Sequence, residues 1–167
     1  MQIFVSAIID GCFAAVAGLG FAYACNPPKR TLLISALLAA IAHAFRFYMQ
    51  QNNFGITSAT FFSAFSVGIL GLIFAKKLKC PTEIITFPAI LPMIPGMYAY
   101  RTILSIVSFS SSNDINTQYK LLVEITNNLI TTLSVALAIA VGISISLLIF
   151  YEQSFMMTRK GFKIEKE

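Results

Sequence analysis

Asp10, His43, Arg46, Arg101, Asn127 and Asn128 all stand inside apolar runs of this chain. Charged and amide groups cost free energy in hydrocarbon, so they pair with one another, line water or carry a function. An acid and an imidazole at one depth can hand on a proton. Between these residues lies Phe87 to Arg101, FPAILPMIPGMYAYR, with Pro88, Pro92, Pro95 and Gly96 inside nine positions. Each proline removes an N–H and presses its ring on the preceding turn, so a helix through this stretch is expected to break. In a bilayer the freed backbone groups must find partners in protein or in a wet cavity. Broken helices of this kind are where many transporters hold substrate and coupling ion. The alternative is a kink that only bends a span to fit its neighbours.

The chemistry this implies is binding of a small carboxylate. The start of the outer half-helix at Gly96, Met97 and Tyr98 offers free N–H groups and the positive end of a helix dipole. Pro92 and Pro95 shape that end, and the inner half near Ala89–Leu91 offers carbonyls for a cation or a water. Arg46, Arg101, Asn127 and Asn128 complete the candidate substrate-binding set, with Asp10 and His43 as candidate carriers of the coupling proton. Structural readings stand beside these. Asp10 pairs with Arg46 or Arg101, His43 packs as a hydrogen-bonded side chain, Arg46 snorkels to the interface, and the asparagines bond neighbouring helices. Arg101 is the hardest to dismiss, since a mid-span arginine costs about 2.5–3.5 kcal/mol on insertion scales.

The elements that must position these groups follow from composition. Of 167 residues 57% are hydrophobic and 11% are charged, with a mean hydropathy of +0.77. A soluble domain carries about 25% charge, so the chain reads as an all-α integral membrane protein. Five transmembrane helices are expected, near residues 3–24, 31–49, 57–75, 84–109 and 121–151, the fourth broken by the Pro/Gly motif. Residues 1–155 form one transmembrane domain and 156–167 a basic tail. Ser110–Asn116 reads as a polar connector, and the first two turns of the long last segment are expected to project from the membrane. Small residues at helical spacing (Ala14, Gly18 and Gly20; Ala36, Ala40 and Ala44; Gly68 and Gly71; Ala138 and Gly142) are expected to let the helices approach closely.

Orientation comes from the lysines and arginines. Lys29, Arg30, Lys76, Lys77, Lys79, Arg159, Lys160, Lys163 and Lys166 fall on one side, against Lys120 on the other. Positive charge stays in the cytoplasm, which puts the N-terminus outside and the C-terminus inside. The net charge of +5 is therefore topology information and no nucleic-acid partner is expected. At a rise of about 1.5 Å per residue, all six polar groups fall in the outer half of the bilayer, just outward of the break. Cys12, Cys25 and Cys80 have no metal-like spacing, and neither metal nor cofactor is expected. The start of the chain lacks a basic n-region and carries Asp10 in its apolar run, so no cleaved signal peptide is expected. Tyr23-Ala24-Cys25 has only a faint lipobox look.

At these residues the chain resembles the threonine/serine exporter family, specifically its small YjjB-like subunit. The likeness runs through Asp10, Gly20-Phe21-Ala22, Asn26, Pro28, Arg30, Ala42-His43, Arg46, Val67-Gly68, Gly71, Pro92-Met93-x-Pro95-Gly96, Tyr100 and Thr126-Asn127. Arg101 and Asn128 fall outside that pattern, and their place in the site rests on depth alone. The resemblance implies a bacterial inner-membrane secondary exporter of threonine, serine or a succinate-like dicarboxylate, working with a larger YjjP-like subunit. Five spans are few for a complete pathway, which also calls for a partner or a homo-oligomer. Two other classes remain: an assembly subunit that does not transport, and an intramembrane enzyme. Against the enzyme stand a single histidine, no metal-ligand set and no nucleophile motif.

Overall fold

The computed structural model describes residues 2–150, all of it helix and short turns. Six helices follow in order: α1 (Gln2–Ala24), α2 (Lys29–Gln51), α3 (Ile56–Leu78), α4 (Glu83–Ile90), α5 (Gly96–Ser111) and α6 (Ile115–Ile149). A single 3-10 turn, Leu91–Met93, separates α4 from α5. Four helices are long and apolar enough to cross a bilayer, and α4 with α5, bent by 46° at the break, makes a fifth when taken as one span. The basic tail expected at 156–167 lies outside the described residues.

Each helix ends where the sequence withdraws a backbone partner. Asn26 takes a left-handed φ of 50° before Pro27 and Pro28, a conformation asparagine tolerates better than most residues. Thr31 opens α2 by donating both its N–H and its hydroxyl to the Pro28 carbonyl, at 2.9 and 2.8 Å. Lys79 closes α3 with φ 53°, doing the work usually left to glycine. Asp114 caps α6 by accepting from the Thr117 N–H at 3.0 Å and from its hydroxyl at 2.6 Å.

Two expectations need adjusting. Pro88 does not break the chain; it sits inside α4 with its ring fully buried, and the helix runs only two residues further. The connector is also shorter than the polar composition implied, because α5 continues through Ser111 and α6 begins at Ile115. At 35 residues α6 is about 52 Å long, well beyond the bilayer core.

The core is built from Leu38, Ala39 and Ala42 of α2, Val67 and Ala75 of α3, Ile85 and Ala89 of α4, Met93, and Val135 and Ile139 of α6. α4 is lodged among α1, α2 and α3, while α6 packs along α3 and carries α5 on its other half. Small residues make these contacts close. A Cβ on Gly18 would lie 2.6 Å from the Ala39 Cβ, and one on Gly142 would lie 2.8 Å from the Phe61 carbonyl oxygen. Gly20 is different: beyond its own turn of helix nothing lies within 4 Å of a Cβ built on it, so it contributes no close approach.

Candidate functional site

The site begins with the α1–α2 hairpin. Gly11, the residue after Asp10, faces the Ala40 carbonyl so closely that a Cβ there would sit 2.9 Å from its oxygen. That approach brings Asp10 on α1 against His43 on α2, with Asp10 Oδ2 3.1 Å from His43 Nδ1. The imidazole is buried, whereas the carboxylate keeps 39% of its side chain exposed. One face of the acid is therefore open and the histidine is enclosed. His43 Nε2 is buried without a hydrogen-bond partner, and the Pro92 backbone lies close to the ring.

The second connection runs from Arg46 to the break. In an unbroken helix the Met93 carbonyl would accept the Met97 N–H four residues on. The turn at Leu91–Met93 and the extended backbone of Ile94 (φ −60°, ψ 132°) separate them, as the residue before a proline requires. Arg46 Nη1 donates to the released Met93 carbonyl at 3.2 Å, reaching across 47 positions of sequence. Beneath it, the Ser63 hydroxyl of α3 donates to the Ala42 carbonyl at 2.5 Å and lies 3.8 Å from the Met93 sulfur. Acid, imidazole, guanidinium and the bared backbone of the helix break thus form one connected group.

The start of α5 is partly used. The Gly96 N–H donates to the Ile94 carbonyl at 2.8 Å, so of the three N–H groups expected free only those of Met97 and Tyr98 remain. Gly96 and Met97 are exposed, Tyr98 is half-buried, and Pro95 is buried as the residue before the helix. Nothing lies within 4 Å of a Cβ built on Gly96. The Tyr98 hydroxyl lies near the Arg46 guanidinium.

Arg101, Asn127 and Asn128 are not drawn into this group. Arg101 and Asn127 are exposed, and Asn128 is buried on α6. α6 packs chiefly on α3 and α5, and Arg101 stands on α5, five residues beyond its start at Gly96. Depth fixes one coordinate of a side chain and leaves its direction around the helix undetermined. What sequence reasoning missed is the Met93 carbonyl and Ser63. The carbonyl had a signal, since prolines at 92 and 95 must leave backbone acceptors bare; Ser63, one hydroxyl among many in α3, had none. Among the described residues no group of three or more histidine, cysteine, aspartate or glutamate side chains is placed to hold a metal ion.

Residues 10–149 match the family model described as Threonine/Serine exporter, ThrE. An uncharacterized protein of Haemophilus influenzae is 32% identical over 146 residues, covering 87% of this chain and 48% of the relative. The chain thus spans about half the length of that relative. No solved structure matches. The match extends from the aspartate of the acid–imidazole pair to the end of α6, and on it the chain belongs to the threonine/serine exporter family.

Proposed function

We propose that this chain is the small subunit of a secondary exporter in a bacterial inner membrane. It works with a larger YjjP-like subunit to move a small carboxylate metabolite (threonine, serine or a succinate-like dicarboxylate) in exchange for protons. The N-terminus faces outward and the C-terminus the cytoplasm. One transmembrane domain of about 155 residues carries the work, followed by a basic tail. The observation that carries this reading is the Asp10–His43 hydrogen bond beside a broken helix.

The coupling follows from the two imidazole nitrogens. A neutral His43 that donates Nδ1–H to Asp10 leaves Nε2 as an acceptor with no donor beside it. When a proton arrives both nitrogens donate, and the second N–H finds the Pro92 carbonyl close to the ring. Protonation therefore ties α2 to the break, and its loss releases it. The charged and titratable groups around the ring are Asp10 on α1, Arg46 on α2 and, through Arg46, Tyr98 on α5. The Met97 and Tyr98 N–H groups, with the positive end of α5, are the natural seat for the substrate carboxylate.

The test is transport by proteoliposomes holding this chain alone or with the larger subunit, each loaded with threonine, serine or succinate. An imposed pH gradient drives efflux of at least one substrate when both chains are present, and Asp10→Asn abolishes it while expression and assembly persist. Gradient-driven efflux that survives Asp10→Asn overturns the assignment of Asp10. Absence of efflux for all three substrates overturns the export reading itself.

A further inference from the structure

A cavity of about 240 Å³ opens between the α1–α2 turn and the first two turns of α4. Its walls are Cys25, Asn26 and Pro27 on one side and Glu83, Ile84 and Phe87 on the other. It exists because α4 starts recessed. The chain doubles back after Leu78 so tightly that the Thr82 methyl comes within 3.4 Å of where a Cβ on Gly71 would sit. Gly71 stands seven residues above the end of α3, so the mouth of α4 lies about 10 Å inside the end of its neighbour. The α1–α2 turn, stiffened by Pro27 and Pro28, roofs the recess.

Its place in the fold gives it a use. Lys29 and Arg30 begin α2 at this end, and Lys76, Lys77 and Lys79 close α3 at the same end. Burial pushes the Cys80 thiol up, and the nearby Arg30 offsets part of that rise. None of these cations lines the recess, but five at one end of the bundle set up a positive field that gathers small anions from the water around its mouth. By volume it holds about eight waters at roughly 30 Å³ each, the bulk of a molecule of about eight heavy atoms. The same α4 that walls the cavity with Glu83, Ile84 and Phe87 enters, one turn later, the break whose carbonyl is held by Arg46. From Glu83 to Ile90 is about 10 Å. One short helix therefore separates the cavity from the Asp10–His43 pair.

We infer that this cavity is the vestibule through which a small carboxylate enters from the basic side of the membrane, with α4 as the wall between it and the acid–imidazole pair. The inference rests on the export reading and adds where the substrate gathers before it reaches the pair. Glu83 at the lip gives the cavity an acid that faces the ammonium of an amino acid and opposes a dicarboxylate, so the two substrate classes differ in how they occupy it.

Cys25 makes the vestibule testable without building anything into it, since it is exposed and lines the cavity. Full-length chain and its Cys25→Ser variant, each co-expressed with the larger subunit, are compared in inside-out and right-side-out membrane vesicles, using a charged, membrane-impermeant methanethiosulfonate. The reagent is expected to label Cys25 in inside-out vesicles alone and to suppress transport by the wild type while sparing Cys25→Ser. L-Threonine or succinate, added beforehand, is expected to slow that labelling. Full transport after complete modification of Cys25, or labelling that neither solute slows, overturns the vestibule and leaves the export reading standing. No transport before any reagent is added strikes at the export reading instead.

Discussion

Combining Gly68→Ala with Ser146→Gly should reveal how tightly α3 and α6 hold together. A Cβ added at Gly68 would fall 1.7 Å from the Ser146 Oγ and 2.7 Å from its Cβ, with the Ile143 Cα next at 3.7 Å. The hydroxyl can rotate aside, but the Cβ moves only if α6 moves. Overpacking of this kind costs about 1–3 kcal/mol. Alanine in place of a helical glycine returns about 0.8–1.0 kcal/mol, so Gly68→Ala alone loses up to about 2 kcal/mol. Ser146→Gly alone loses about 0.5 kcal/mol of helix propensity, together with the local bond from its hydroxyl to the Ile143 carbonyl. In the double variant the new methyl occupies the space the serine left, and stability returns close to wild type. The chain has no tryptophan, so unfolding is followed by far-UV circular dichroism during titration with sodium dodecyl sulfate. The double-mutant cycle is expected to give a favourable coupling of about 1–3 kcal/mol. A coupling within about 0.5 kcal/mol of zero would refute the contact geometry.

Arg46→Met should strip the Met93 carbonyl of its donor and lower stability by about 1–3 kcal/mol, the cost of a buried acceptor left unpaired. The same detergent titration reads it, and an unchanged midpoint would mean the break does not depend on the guanidinium. Asp114 stands in the connector outside the spans, where the Thr117 hydroxyl and N–H hold its carboxyl below the usual carboxylate range. A lowered folded-state pKa means the cap's contribution is full above about pH 4 and is lost as pH falls through the folded value. The protection factor of the Thr117 amide, its intrinsic exchange rate at each pH divided by the observed one, should therefore fall in acid, and Asp114→Ala should show little protection at any pH.

The spans were legible because a bilayer demands about 20 apolar residues in a row, a signal too strong for neighbouring helices to override. The break was legible for the same kind of reason, since Pro92 and Pro95 take away donors that no context can restore. Its width was not. Pro88 looked like a third breaker, but its ring is buried in the core within an eight-residue helix that ends soon after. The Asp10–His43 contact could be anticipated because consecutive helices in a hairpin are neighbours and both groups lie at one depth. Arg46 shared that depth, yet its partner, a backbone carbonyl 47 positions away, carries no side-chain signature at all. Asn127 and Arg101 are the opposite case. Both were expected at that depth; in the structure they stand exposed on α5 and α6, while the pair sits on α1 and α2.

The most direct test of the acid–imidazole pair uses the fact that the chain holds one histidine. Nitrogen-15 labelling of histidine then gives the spectrum of His43 alone, and the shifts of the two ring nitrogens distinguish its tautomers. With Asp10 accepting from Nδ1 at 3.1 Å, the neutral ring is predicted to hold its proton on Nδ1 in the wild type and to move it to Nε2 in Asp10→Ala. A wild-type ring protonated on Nε2, or a tautomer that ignores the loss of Asp10, would contradict the pairing.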